Sequence, residues 1–187
     1  MTPVPIDPEH PLIYTVGHST HSLDEFVAML RSFGVRRVVD VRTIPRSRHN
    51  PQFDIKTLAT ALRNRRLGYR HLKGLGGLRR ARADSPNSGW RNLSFRGFAD
   101  YMQTPAFSEA LEKLVALATD RPTAIMCAEA VPWRCHRYLI ADALLIRGFA
   151  VEHIMGIGIA RTHTLHPMAV VRNGIITYPP PQHFGTR

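Results

Sequence analysis

Residues 12–41 of the chain, LIYTVGHSTHSLDEFVAMLRSFGVRRVVDV, contain two apolar runs separated by an amphipathic segment. The first run, Leu12–Val16, is short, ends at Gly17 and predicts a buried β-strand. The second run, Val35–Val41, predicts another buried strand. Both runs are therefore expected in the interior of the protein.

The segment between these two strands is predicted to be a capped helix. Ser22 and Glu25 form a capping box, in which two side chains three residues apart satisfy free backbone amides reciprocally. Gly34 supplies the left-handed residue that ends the helix. Between these signals, apolar residues recur at helical spacing, namely Phe26, Met29, Leu30 and Phe33. A strand, a helix and a strand in this order predict a right-handed βαβ unit with parallel strands.

The rest of the chain continues the alternation of helices and strands. We expect helices over residues 55–66, 95–102, from Pro105 onward and over 132–146, and strands over 69–72, 123–126 and 149–154. The predicted fold class is therefore α/β, a three-layer Rossmann-like domain with a mainly parallel sheet.

The predicted domain organisation is simple. Residues 12–155 are expected to form a single α/β domain, which is an ordinary length for one core. Residues 1–11 are proline-rich and are expected to be a flexible tail. Residues 156–187 are expected to be an irregular extension, in which Asn173-Gly174 indicates a hairpin.

The chain is strongly basic, with a formal net charge of +11. Such a charge attracts polyanions, so a phosphate-bearing ligand or nucleic acid is a possible partner. Of the 25 basic residues, however, 22 are arginine and three are lysine, a bias that a GC-rich genome produces without selection on function. Both interpretations of the charge stay open.

Cellular location is predicted from what the chain contains. It has two cysteines, Cys127 and Cys135, which is too few for a disulfide framework and is typical of a reducing compartment. The longest apolar stretch, Tyr138–Ile146, is far shorter than a membrane span. We therefore expect a cytoplasmic protein without a signal peptide and without membrane contact.

Polar side chains follow three of the predicted strands. In an open parallel sheet, ligands bind beyond the carboxyl ends of the strands, often at helix N-termini. We therefore expect one site at that edge, and the residues at or after the ends of these strands are His18, Ser19, Asp40, Arg42, Ser47, Arg48, Cys127, Glu129, Cys135, His136 and Arg137.

Several of these residues also have a purely structural interpretation. Asp40 beside Arg42 can be an ion pair at a strand end, and His18 can cap a backbone group. Cys135 on the apolar face of the helix predicted over 132–146, and Cys127 at a strand end, can both be packing residues.

Eight short motifs resemble one known family. They are YTVGHS at 14–19, VVDVR at 38–42, PRSR at 45–48, YRHL at 69–72, GLGG at 74–77, FADYM at 98–102, MCAE at 126–129 and CHR at 135–137. In this order they resemble the bacterial and archaeal family called domain of unknown function 488. The resemblance implies a Rossmann-like α/β domain with a shared site built from these motifs, which adds His71 and Tyr101 to the candidates. It implies no established reaction.

The leading functional hypothesis is an enzyme, or an enzyme-derived domain, that acts on a phosphorylated, nucleotide or nucleic-acid ligand. Arg42, Arg48 and Arg137 would bind phosphate through paired hydrogen bonds. Ser19, Asp40, His71, Tyr101 and His136 would complete the ligand site. The predicted catalytic residues are Glu129 or His18 as general base, or Cys127 as nucleophile.

Two other functions compete with this one. The first is a rhodanese-like, cysteine-dependent sulfurtransferase built on Cys127, although Glu129 stands where such enzymes have a glycine- and serine-rich loop. Desolvation and the Glu129 carboxylate are expected to raise the pKa of Cys127 and make it a slow-reacting thiol. The second is a non-catalytic module that binds nucleic acid through Arg79, Arg80 and Arg82, or a metal.

The metal alternative depends on the two cysteines and two histidines. Cys127, Cys135, His136 and His18 could ligate zinc or iron, but the separation of the cysteines fits no common finger pattern. No residue is therefore assigned to a metal, and the sequence identifies no cofactor.

Overall fold

The computed structural model of the chain describes residues 11–181. The flexible tail predicted over residues 1–11 therefore lies, apart from Pro11, outside the described residues. The same is true of residues 182–187 of the predicted extension.

A six-stranded sheet runs through the middle of the protein, in the order β3-β2-β4-β1-β5-β6. Its first five strands along the chain are parallel, and β6 is antiparallel to β5. The strands are β1 Leu12–Gly17, β2 Arg37–Asp40, β3 Gly68–His71, β4 Thr123–Cys127, β5 Ala150–Gly156 and β6 Ile159–Thr162. The predicted parallel βαβ unit is present, with β4 inserted between its two strands.

Helices cover both faces of this sheet. The helices are α1 Leu23–Ser32, α2 Ile55–Asn64, α3 Leu93–Tyr101, α4 Pro105–Asp120 and α5 Arg137–Leu145. Helices α1 and α2 pack on one face, and α3, α4 and α5 contribute to the core on the other. The fold is thus a three-layer, Rossmann-like α/β fold with a mostly parallel sheet, as the sequence predicted.

The local signals of the first helix are confirmed. The Ser22 hydroxyl accepts a hydrogen bond from the Glu25 amide at 3.2 Å, and the Glu25 carboxylate accepts one from the Ser22 amide at 2.8 Å. Gly34 follows the helix with φ of 68°, in the left-handed region that glycine adopts at little cost.

Burial on both faces explains why the strands are apolar throughout. Along β4, Ala124 and Met126 pack against the α1 and α2 side, whereas Ile125 and Cys127 pack against the opposite side. All residues of β4 are buried. Because side chains alternate between the two faces of a strand, a strand covered by helices on both faces needs apolar residues at every position.

The connections leave the sheet in opposite directions around β4. Strands β1 and β2 lead into helices on one face, and β4 leads into α5 on the other. Such a change of direction opens a crevice at the carboxyl ends of the strands, where ligands bind in open α/β sheets. In this protein the crevice lies at the end of β4.

The region after residue 155 contains more regular structure than the sequence predicted. It adds strand β6 and a hairpin of β7 Val170–Arg172 and β8 Ile175–Thr177. The predicted hairpin turn is present, since Asn173 and Gly174 both have positive φ, as a type I′ turn requires. Over residues 11–181, no helix has the length and apolarity needed to cross a membrane.

Candidate active site

The segment after β4 folds differently from its prediction. In place of one helix over 132–146, a single 3₁₀ turn spans Pro132–Arg134, and α5 begins only at Arg137. The Cys135 amide closes the turn by donating to the Pro132 carbonyl at 2.9 Å, and Cys135 itself is extended. Cys135 therefore precedes the helix and lies opposite Cys127, so its predicted place on the apolar face of a helix is wrong.

Cys127, Cys135 and His136 form a compact cluster at the end of β4. One sulfur or ring-nitrogen atom from each residue lies within 4.8 Å of the others. The Cys135 Sγ is 3.6 Å from His136 Nδ1, and His136 Nε2 is 3.0 Å from the Val41 carbonyl oxygen. Because a carbonyl oxygen only accepts, Nε2 carries the ring proton, and the Nδ1 lone pair faces the sulfurs.

The pKa values of the two thiols are shifted in opposite directions. A hydrogen bond from Cys135 lowers the pKa of Cys127 well below the usual value against the effect of burial, and the Glu129 backbone amide acts in the same direction. Burial raises the pKa of Cys135, and the neighbouring Cys127 sulfur raises it further. The predicted rise in the pKa of Cys127 is therefore wrong, because the Cys135 thiol donates to its sulfur and Glu129, itself exposed, turns its backbone N–H toward that sulfur.

A cavity of about 320 Å³ opens over this cluster. Its buried part includes Cys127 and Cys135, with His136 half-buried beside them. Its exposed lining includes the charged residues Arg46, Arg134 and Glu129 and the apolar residues Ile44 and Leu78, and half-buried Phe95 also lines it. The arrangement places acid–base and thiol groups below an amphipathic opening.

His18 lines a second cavity on the other side of the loop over 128–130. Its ring stacks on Phe53, with Nδ1 2.9 Å from the Ser19 carbonyl oxygen and Nε2 3.2 Å from Arg42 Nη1. Burial lowers the pKa of His18, and the Arg42 charge adds to this effect. Both ring nitrogens thus have protein partners. Ser19, half-buried, lines the same second cavity.

Asp40 and Arg42 form a buried ion pair. The Asp40 carboxylate accepts from Arg42 Nε at 2.9 Å, from Arg42 Nη2 at 2.6 Å and from the Tyr69 hydroxyl at 2.7 Å. Arg42 Nη2 also donates to the Phe53 carbonyl at 2.8 Å. The donors of the Arg42 guanidinium group are thus bound by groups of the protein itself, although Arg42 also lines the first cavity.

The other candidates lie around the cavity rather than in it. His71 Nε2 donates to the Arg42 carbonyl at 2.8 Å, and the Tyr101 hydroxyl donates to the Gly74 carbonyl at 2.7 Å. Arg137 is 1% exposed and donates to the Glu129 and Ala130 carbonyls, which fixes the loop beyond Cys127. Arg48 is exposed and lines neither of the two cavities.

The structure thus brings Arg42, Cys127, Glu129 and His136 into one cavity and adds two residues that the sequence did not single out. Arg46 lies within the PRSR motif, and Arg134 lies in the 3₁₀ turn before Cys135. Among the described residues, neither guanidinium group has a hydrogen-bond or ion-pair partner. Sequence reasoning could have found Arg134 from its position in the loop that follows β4, where ligand-binding residues are expected.

Gly77, the last glycine of the GLGG motif, packs directly on the site. A β-carbon at this position would come 2.4 Å from His136 Nδ1, which is closer than atoms can approach. Glycine is therefore required here so that the loop can lie against the imidazole ring.

We expect Gly77→Ala to lower the free energy of unfolding by about 1–3 kcal/mol, because the new methyl group must displace the ring or the loop. Urea unfolding measures this change. The control is Gly68→Ala in β3, where a β-carbon would make its nearest contact at an ordinary 3.5 Å. If both variants were equally stable, the loop would not be held against His136 as described.

Comparison with known proteins identifies a family. No protein with a curated description matches the chain. No solved structure matches it either. The family model described as Domain of unknown function DUF488 matches residues 22–144, which is 123 of the 187 residues and includes the cluster at the end of β4. The chain therefore belongs to the DUF488 family.

Proposed function

We propose that the protein is an enzyme that acts on a phosphate-bearing ligand, a nucleotide or a nucleic acid, in the cavity over Cys127. The observation that carries the proposal is the pair Arg46 and Arg134, exposed beside the buried Cys127 and Cys135 and the half-buried His136. Guanidinium groups bind phosphate through paired hydrogen bonds. In the sequence this role was given to Arg42, Arg48 and Arg137, of which the first and last are occupied by internal partners.

The apolar side of the cavity supports an organic ligand rather than free phosphate. Ile44 and Leu78 are 60% and 69% exposed, and Phe95 lies beside them, stacked on Trp90. Exposed apolar and aromatic groups next to cations suit a ligand with a flat apolar part and an anionic part. A nucleotide has both parts.

A second basic surface adjoins this cavity. Its lining includes four arginines, Arg79, Arg80, Arg82 and Arg96, and it shares Ser94 with the first cavity. Arg79 and Arg96 donate to backbone carbonyls and Arg82 is paired with Asp84. Arg80 is exposed and has no partner among residues 11–181. A polynucleotide could therefore extend from the cavity along this surface, which favours a nucleic acid over a small metabolite.

We expect Arg134→Ala to weaken binding of a fluorescent single-stranded oligonucleotide about tenfold or more at low salt, because one charge-assisted contact contributes about 1.5–3 kcal/mol. The double variant Arg46→Ala/Arg134→Ala should also reduce the slope of log affinity against log salt by about 1.4, since each phosphate contact on a single strand contributes about 0.7. Fluorescence anisotropy over a salt series measures both effects, with ATP as competitor to test a mononucleotide.

The matched control is Arg36→Ala, which removes the same charge just before β2, at the opposite edge of the sheet. It should change affinity far less than Arg134→Ala. An equal loss in both variants would mean that binding depends only on net charge. Absence of binding by the oligonucleotide and by ATP at low salt would contradict the proposed function.

A further inference from the structure

We propose that Cys127, Cys135 and His136 bind a zinc ion whose fourth coordination position opens into the cavity. Two thiolates and one imidazole form a ligand set that zinc prefers, and three protein ligands with one open position are typical of catalytic zinc sites. Binding of the ion does not depend on the proposed nucleotide ligand, whereas the catalytic role described below does.

The distances suit a tetrahedral ion. With zinc–sulfur and zinc–nitrogen bonds of about 2.3 and 2.0–2.1 Å, neighbouring ligand atoms in a tetrahedron are roughly 3.5–3.8 Å apart. The Cys135 Sγ and His136 Nδ1 are 3.6 Å apart, and all three ligand atoms lie within 4.8 Å of one another. Small rotations of the side chains would bring the remaining distances into the zinc range.

The groups around the three ligands orient them as metal ligands are oriented. His136 donates its Nε2 proton to the Val41 carbonyl, which fixes the tautomer with Nδ1 free for a metal. The Arg137 amide donates to Cys135 Sγ at 3.5 Å, as backbone amides do to metal-bound thiolates. Gly77 allows the opposite loop to lie against the His136 ring.

The open position would face a potential general base. Glu129 lines the same cavity, is exposed and follows Cys127 by two residues. In zinc deaminases a glutamate likewise follows a zinc ligand by two residues, and two further ligands come after a proline, as Cys135 and His136 come after Pro132 here. The order of chemical groups is thus similar, although the fold is different.

This arrangement supports hydrolysis of the proposed ligand. The Glu129 carboxylate would take a proton from a water molecule polarised by the ion, and the water oxygen would form a bond to an electrophilic ligand atom. The bond to the leaving group then breaks with its electron pair, and Glu129 returns the proton to that group. One water is consumed, and no oxidant or reductant is needed.

The test measures metal binding without any nucleotide. The metal content is measured in protein purified without chelators and in apoprotein reconstituted with Zn²⁺. Absorption spectra are recorded for apoprotein reconstituted with Co²⁺. We expect one zinc per chain, and for Co²⁺ the visible bands of a tetrahedral site together with thiolate-to-cobalt charge transfer. Cys135→Ser should lower zinc affinity at least about 100-fold, and Gly77→Ala about tenfold through His136.

Glu129→Gln is the matched control, because it changes a residue of the same cavity that is not a ligand. It should keep one zinc per chain and the cobalt spectrum. If circular dichroism shows that Cys135→Ser does not fold, the zinc affinity of Gly77→Ala and the metal content of the unmodified protein still decide whether the site binds zinc. A metal-free protein after reconstitution would overturn the proposal.

Two results would replace the proposal with another chemistry. Rapid alkylation of Cys127 by iodoacetamide at neutral pH in the presence of excess zinc would overturn it in favour of the sulfurtransferase-like alternative. A Cys127–Cys135 disulfide in the freshly purified protein would overturn it in favour of a redox pair. Because none of these measurements uses a nucleotide, failure of the metal site and failure of the proposed ligand are distinguishable.

Discussion

Replacement of Asp40 by alanine is expected to lower the free energy of unfolding by about 3–5 kcal/mol, because it leaves Arg42 as an uncompensated buried charge. The Asp40 side chain is fully buried, and Arg42 is 5% exposed. The carboxylate also accepts the Arg42 amide at 3.0 Å and the Tyr69 hydroxyl at 2.7 Å. Urea unfolding followed by circular dichroism measures the loss.

Two further variants separate the charge from its hydrogen bonds. Tyr69→Phe removes one bond to the carboxylate and should cost about 1 kcal/mol. Asp40→Ala/Arg42→Met removes both charges and should recover part of the loss, since an apolar replacement of a buried pair is often tolerated. A small effect of Asp40→Ala would instead indicate that Arg42 is free to turn into the cavity and bind phosphate.

The fold could be predicted from the sequence because its signals are local. The capping box at Ser22, the glycine at the end of α1 and the apolar runs of β1, β2 and β4 each depend on a few neighbouring residues. The order of the strands is not local: β4 lies between β1 and β2, and no nearby residue shows this. The edge strand β6 was missed because its exposed, mixed sequence gives no periodic signal.

The convergence of the candidate site residues at one edge of the sheet could also be predicted, but the contacts of the arginines there could not. Residues after parallel strands converge, so Cys127, Glu129 and His136 were found together. Whether an arginine faces a ligand depends on its partners, and these are distant in sequence or on the backbone. Arg137, for example, donates to carbonyls of the loop after β4, and nothing in the CHR motif indicates this.

The start of α5 was mispredicted because the sequence has a helical period that continues before the helix. Cys135 lies at helical spacing from Leu139, so it fitted the apolar face of a predicted helix. The proline turn at Pro132–Arg134 breaks the helix before Cys135 and turns its sulfur toward Cys127. The cysteine spacing therefore matched no metal pattern, because a strand end and a turn, rather than a finger, bring the ligands together.

A chain of buried polar groups joins the C-terminal region to the sheet. Thr15 Oγ1 is 2.7 Å from His153 Nδ1, and His153 Nε2 is 3.0 Å from His163 Nδ1. His163 Nε2 is 2.9 Å from Asp142 Oδ1, and the Tyr178 hydroxyl donates to Asp142 Oδ2 at 2.7 Å. The network links β1, β5 and α5 to the segments after β6 and β8, so its protonation affects the stability of the whole domain.

Burial lowers the pKa of His153 to about 3, and the charges of His163, Arg137 and Arg161 act in the same direction. In the unfolded chain an ordinary histidine titrates near pH 6.5. Between these two values the unfolded state binds one more proton than the folded state, so stability falls as the pH falls. The loss begins near pH 6.5, amounts to about 1.4 kcal/mol per pH unit and reaches roughly 5 kcal/mol near pH 3.

We therefore expect the urea midpoint to fall steadily as the pH is lowered from 7 toward 4. His153→Gln should reduce the slope of the unfolding free energy against pH by about 1.4 kcal/mol per pH unit, the contribution of one proton. The comparison uses the slopes, because the substitution itself also costs stability by disturbing the bonds to Thr15 and His163. The control His49→Gln, at an exposed histidine, should keep the slope of the unmodified protein. Buried His18, whose pKa is also lowered, would still contribute to the remaining slope. Equal slopes for His153→Gln and the unmodified protein would show that His153 is protonated in the folded state. The buried network would then contain a positive charge on His153 that Asp142 has to balance.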